Sequence, residues 1–182
     1  MKAMDEAKSI KTPLTRKTID SLSAGDFVLL SGIVYTARDT AHKVLNELIA
    51  KGDKPPIPLK GQVIYYMGPC PPKPGYVCNS AGPTTSSRMD AFTPALLKHG
   101  LSGTIGKGER SQYVIDAMVK YGAVYFSATG GTAALLSKSI VSMEVVALAD
   151  LGPEAIYKLE LDRMPVFVGI DARGKSLYGN RR

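Results

Sequence analysis

Apolar positions along the chain switch repeatedly between the alternation of strands and the three- and four-residue spacing of helices. Thr18 to Leu22 closes a short opening helix, and Gly25-Asp26 then turns into FVLLSGIVYTA (27–37), which predicts a strand or a hairpin broken at Gly32. Asp39 is a candidate cap for a helix with Ala41, Val44, Leu45, Leu48 and Ile49 on one face, ended by Gly52 and Pro55-Pro56. QVIYYMG (62–68) reads as a second buried strand. Asp90 is placed to cap a helix reaching about Lys98, stopped by His99-Gly100, and a short strand follows in SGTIG (102–106). A helix then runs through Tyr113, Ile115, Met118 and Val119 to Gly122. Strand AVYFSA, a glycine turn at 129–132, helix AALLSKSI and strand SMEVVALA repeat the unit, and the tail KLELDRMPVFVGIDARGKSLY reads as an antiparallel hairpin turning at Ala172-Arg173-Gly174. This succession predicts an α/β fold, a single domain over 1–182 whose mixed sheet, partly parallel, has flanking helices.

Composition agrees with one globular core: 182 residues, 45% hydrophobic and 21% charged. The start, MKAMDEAKSIKTPLTRK, mixes acids with lysines and lacks an apolar stretch, so neither a secretory signal nor a transit peptide is expected. No run approaches the roughly 18 apolar residues of a membrane span, and the expected location is cytoplasmic. The formal charge of +7 admits nucleic acid, an anionic surface or small acidic ligands. Basic residues are spread among acids, with one tight cluster at Arg181-Arg182, and no aromatic-basic repeat for stacking bases is present, which favours small acids.

Metal chemistry is limited by donor count. The chain has two cysteines, Cys70 and Cys78, and two histidines, His42 and His99. A structural zinc site needs four ligands and a four-iron cluster three or four thiolates, so neither site is expected from this chain alone. The cysteines read as apolar fillers or loop residues. His42 reads first as a partly buried helical histidine and second as an active-site group.

In α/β sheets, ligands gather where strands end and helices begin. Three such junctions carry reactive side chains: ARDTAH (37–42), GPTTSSRMD (82–90) and IGKGERS (105–111). IGKGERS is not a nucleotide P-loop, because Leu101 stands where the first glycine belongs and Gly108 follows the lysine. Carboxylate binding fits better. Arg38 and Arg88 can each grip a carboxylate through two parallel hydrogen bonds, and Lys107 supplies a compact charge, which together suits a dicarboxylic acid. The hydroxyls of Thr84, Thr85, Ser86 and Ser87 could cap the helix that follows or face a bound oxyanion. A hydroxyl beside the Gly82-Pro83 turn could take a proton from carbon only with cations and a partner base nearby.

These three motifs, in this order, together with LSGIVYTARDTAHK, IYYMGP, GGTAALLSKSI and the PVFVGID segment, resemble the C-terminal domain or separate beta subunit of class I fumarases and L-tartrate dehydratases, the iron-sulfur hydro-lyases. The resemblance covers nearly the whole chain. It implies a swivelling β/β/α domain that docks on an alpha subunit holding a 4Fe-4S cluster, with no metal held by this chain. Arg38, Arg88 and Lys107 match the family's carboxylate-binding residues, and Thr84 matches the threonine proposed to remove the C3 proton of malate, helped by an aspartate of the alpha side. Ala37 stands where many relatives have glycine, and Ser86-Ser87 replace other small residues. The expected activity is reversible hydration of fumarate to malate by an alpha2-beta2 assembly in which this subunit is inactive alone. Two alternatives stay open: L-tartrate dehydratase, and a non-catalytic anion or nucleic-acid binding module.

Overall fold

The computed structural model describes residues 7–70, 74–75, 77–129 and 133–179. The glycine turn beyond Thr129 and the Arg181-Arg182 pair lie outside the described residues. The elements are β1 (Lys8–Lys11), α1 (Arg16–Asp20), β2 (Phe27–Thr36), α2 (Asp39–Lys51), β3 (Val63–Tyr65), α3 (Thr93–Lys98), β4 (Gly103–Gly106), α4 (Gln112–Tyr121), β5 (Val124–Ser127), α5 (Ala133–Ser137), β6 (Ile140–Ala147) and β7 (Ile156–Ile170), with 3₁₀ turns at Ser86–Met89 and Ala149–Glu154. The fold is mixed α/β, as the alternation of periods predicts.

One sheet orders its strands β1-β2-β3-β4-β5-β7-β6. The first five run parallel, and β7 lies antiparallel to β5, β6 and β2. Because β7 pairs with both β5 and β2, the sheet curls back on itself and has an inside and an outside. Period-two alternation then divides the core. Val28, Leu30, Val34, Val63, Tyr65, Val124 and Phe126 join one cluster with Leu22 and Leu136, while Tyr35, Ile64, Tyr66 and Tyr125 join another under Leu45, Leu96 and Met118 of α2, α3 and α4. Among the described residues no helix is long and apolar enough to cross a membrane.

Several local expectations need correction. Of the two readings of 27–37 the strand holds and the hairpin does not: β2 stays paired to β7 from Phe27 to Tyr35, and a register shift between Leu30 and Gly32 absorbs the glycine as a bulge. The tail likewise forms a single strand, because β7 finds partners on both edges. Its turn does fall after Ile170, built by Asp171, whose carboxylate accepts from the amides of Arg173 and Lys175 (2.9 and 3.1 Å), and the returning arm is short, pairing Ser176 with Ile170 and donating Leu177 N to Gly169 O at 2.8 Å. Helix α5 stops at Ser137, so Ile140 belongs to β6.

Asp39 does not cap α2. Arg38 occupies the N-cap without a side-chain bond, and Asp39 is the first helical residue, its carboxylate taken by Arg88. The amide of Thr40 is satisfied from elsewhere, by Glu154 Oε2 at 2.9 Å. Asp90 does not cap α3, whose N-cap is Phe92 with Pro94 in the first turn. It is drawn instead to a buried arginine.

Candidate functional site

Because β2, β3 and β4 are parallel, the segments leaving their carboxyl ends share one rim of the sheet. Arg38 leaves β2, Lys107 leaves β4, and residues 84–90 lie between them. The backbone of this last segment is laced to its neighbours: Thr84 N donates to Tyr66 O (2.6 Å), Lys107 N to Thr84 O (3.2 Å) and Ser86 N to Lys107 O (2.9 Å), and Thr85 and Lys107 form a parallel bridge. Tyr65, at the end of β3, adds its hydroxyl to the carbonyl of Ala81. Thr84 and Lys107 are therefore near neighbours by main-chain geometry.

Arg88 is tied to the same rim through Asp39: its Nε and Nη2 donate to Oδ1 and Oδ2 at 3.0 and 2.6 Å. Asp39 adjoins Arg38 in the chain, so the two guanidinium groups belong to one neighbourhood. Arg38 is part-buried, with Nη2 3.9 Å from Glu154 Oε1, and its buried Nε has no hydrogen-bond partner among the described residues. A Cβ at Gly68 would lie 2.7 Å from Arg38 Nη1 and from Pro153 O, so the guanidinium packs where only glycine leaves space. Lys107 is exposed and makes no ion pair among the described residues. All four candidate residues thus lie along one rim of the sheet.

The four hydroxyls separate by environment, and none caps a helix. Thr85 is the N-cap of the 3₁₀ turn but makes no side-chain bond there. Ser86 is fully buried and donates to Tyr125 Oη at 3.0 Å, and Tyr125 in turn donates to Gly108 O at 2.9 Å. A Cβ at Gly106 would lie 2.0 Å from Ser86 Oγ, so that serine seat depends on glycine in the neighbouring strand. Burial raises the Tyr125 phenol far above its usual range, keeping it a neutral donor. Thr85 and Ser87 are exposed, while Thr84 is half-buried and its hydroxyl has no hydrogen-bond partner among the described residues.

Sequence reasoning missed Arg110. It is buried, and its Nε donates to Asp90 Oδ1 (2.6 Å), its Nη2 to Thr93 Oγ1 (2.8 Å), and its Nη1 to Tyr66 Oη and Thr104 Oγ1 (each 3.3 Å). Asp90 Oδ2 accepts from the amide of Ser111 at 2.7 Å, and Thr93 passes its own proton to Met89 O at 2.8 Å. This network fastens the 86–93 segment to the loop bearing Lys107. The one sequence signal was its membership of a charged junction, which does not distinguish a buried arginine from a solvated one.

His42 is fully buried. Its Nδ1 lies 2.9 Å from Arg38 O, which makes Nδ1 the protonated nitrogen, and its buried Nε2 has no hydrogen-bond partner among the described residues. The ring stands edge-on to Tyr66 at 5.1 Å. Burial pulls its pKa down to about 4, with the Arg38 carbonyl opposing, Arg110 adding to the depression and Asp39 opposing it. A histidine whose folded pKa lies below its unfolded value of 6.5 costs no stability above about pH 6.5, and its contribution is lost as pH falls from there toward about 4. Urea midpoints measured across that window should fall in the wild type, by up to about 3 kcal/mol in unfolding free energy, and stay flatter in His42→Asn. Equal slopes in the two proteins would refute this assignment.

The described residues do not fit an iron-sulfur cluster. Among them no group of three or more His, Cys, Asp and Glu could hold a metal. Cys70 is exposed, while Cys78 is buried, donates to Ser80 O at 3.2 Å and has its thiol pKa pushed up by burial. A cavity of about 450 Å³ beside Cys78, lined also by Ser137, Lys138 and Ile140, includes none of the four candidate residues.

The fold is mixed α/β, and its parallel strands carry two arginines, a lysine and a threonine along one rim. The family model described as the fumarase C-terminus matches residues 2–181, and the chain belongs to that family. It is 39% identical over 171 residues to the putative L(+)-tartrate dehydratase subunit beta of Methanocaldococcus jannaschii, covering 91% of this chain and 88% of that one. It is 38% identical over 173 residues to fumarate hydratase 2 of Leishmania major, covering 93% of this chain and 30% of that protein. Against the anaerobic class I fumarate hydratase of Escherichia coli the figures are 38% over 181 residues, 95% and 33%. The chain thus spans about a third of these fumarate hydratases and most of the beta subunit.

Proposed function

We propose that the chain is the beta subunit of a heteromeric class I fumarate hydratase. Arg38, Arg88 and Lys107 bind the two carboxylates of malate, and Thr84 takes the proton from C3. Loss of that proton beside a carboxylate builds a doubly charged aci-carboxylate, which fixed cations stabilise most where the charge is greatest. The hydroxide leaves from the adjacent carbon, so that malate yields fumarate and one water. A threonine alkoxide needs a strong positive field and an assisting base, which in this reading is an aspartate of the alpha subunit. The same subunit holds the 4Fe-4S cluster; this chain contributes carboxylate binding and proton removal. The assembly is cytoplasmic and alpha2-beta2.

The observation that carries the reading is the lacing of residues 84–86 to Lys107 on a rim shared with Arg38 and Arg88. A second reading, L-tartrate dehydratase, is supported by the 88% coverage of a relative named as a beta subunit. Tartrate differs by one hydroxyl and is also a dicarboxylate. Anaerobic co-purification with the alpha subunit, followed by assays on malate, fumarate and tartrate, tests both. The expected result is activity only when both chains are present, with kcat/KM for malate at least about tenfold above tartrate, a difference of the size one lost hydrogen bond produces. A reversed preference assigns the tartrate reaction. Full activity of this chain alone, or inert pairs with all three acids, overturns the proposal.

A further inference from the structure

Arg88 is half exposed, and an ion pair at such a position adds little to stability. Yet its bond to Asp39 is bidentate and joins segments 49 residues apart in sequence. Asp39 spends its carboxylate here although it stands at the start of α2, where the amide of Thr40 is close by and is served by Glu154. The arrangement trades a local helix bond for a distant guanidinium.

We infer that Asp39 is a positioning residue that orients Arg88 for an incoming carboxylate. A guanidinium has five N–H donors and two edges able to grip a carboxylate. Asp39 takes the edge formed by Nε and one Nη2 hydrogen. The edge formed by Nη1 and the remaining Nη2 hydrogen is left for the ligand, and no described residue bonds it. Held by one carboxylate, the long side chain no longer pays the cost of being ordered when the second arrives. Because Asp39 follows Arg38 directly, the same residue sets the spacing of both arginines along the rim.

The inference rests on the hydro-lyase reading for its substrate, and two measurements separate the two claims. In the alpha–beta complex, Asp39→Ala should raise KM for malate about tenfold, the equivalent of one charge-assisted hydrogen bond, with kcat within about threefold. Asp39→Asn, which keeps one acceptor oxygen, should give an intermediate KM. In the full chain alone, nitrogen-15 NMR should show the Arg88 Nε–H protected from exchange in the wild type and unprotected in Asp39→Ala, with melting temperatures nearly equal. An unchanged or lowered KM in an active complex would overturn the inference, a lowered one showing that Asp39 competes with substrate. An unprotected Arg88 Nε–H in the wild type would overturn it as well. A wild-type complex inert on every dicarboxylate would sink the hydro-lyase reading, and the NMR measurement would still decide whether Asp39 fixes Arg88.

Discussion

Replacing Asp90 with alanine should lower the unfolding free energy by about 3–5 kcal/mol, the usual cost of stranding one member of a buried ion pair. The pair qualifies: Arg110 and Asp90 side chains are 0% and 3% exposed and meet at 2.6 Å. The loss extends further, because Asp90 also satisfies the amide of Ser111 and would leave that donor unpaired. Arg110→Ala should cost a similar amount, since Thr93, Thr104 and Tyr66 lose a shared donor. The double variant should fall well short of the sum, because each single change already breaks the same contact. Urea denaturation of the four proteins measures all of this. Singles within about 1 kcal/mol of wild type, the size of an exposed pair, would show the network to be solvated.

Removing one hydroxyl should have the largest catalytic effect. Thr84→Val keeps the β-branched shape, and every bond that seats Thr84 in the fold is made by its backbone. Stability and assembly with the alpha subunit should therefore persist. The kcat for malate dehydration should drop by about 10²–10⁴, the range general-base removal gives. Loss of the solvent exchange of the C3 hydrogen should accompany it, since that exchange needs the proton transfer alone. A variant retaining more than about a tenth of wild-type kcat would move the base elsewhere, because general-base catalysis is larger than that. Thr85→Val, at an exposed position, is the control expected to change little.

What could be read in the sequence follows from how local its cause is. Helices α2 and α4 are legible because Gly52 and Gly122 end them in the left-handed conformation and their apolar faces repeat at helical spacing. The candidate rim was legible for a topological reason: parallel strands deliver their outgoing loops to one side. Strand β1, by contrast, is KSIK, four residues with alternating exposure, and only pairing with β2 makes it a strand. The choice between strand and hairpin at Gly32 was not legible, and the tail hairpin is reduced to a short antiparallel bridge, because β2 and β7 pair with each other over a distance the local sequence does not encode. Asp39, Asp90 and Arg110 were the hardest to place. Acidic residues before a helix usually cap it, but here an arginine from another segment offers each a stronger charged bond.

The lacing of residues 84–86 to Lys107 makes the two backbone segments a single cassette. Whatever attitude the domain adopts toward a neighbouring chain, their spacing is inherited from the sheet and travels with it. If the chain is a subunit as proposed, a rotation at its joint with a partner would carry the backbones of Thr84 and Lys107 together, so turnover would respond to the orientation of the whole sheet rather than to either segment separately.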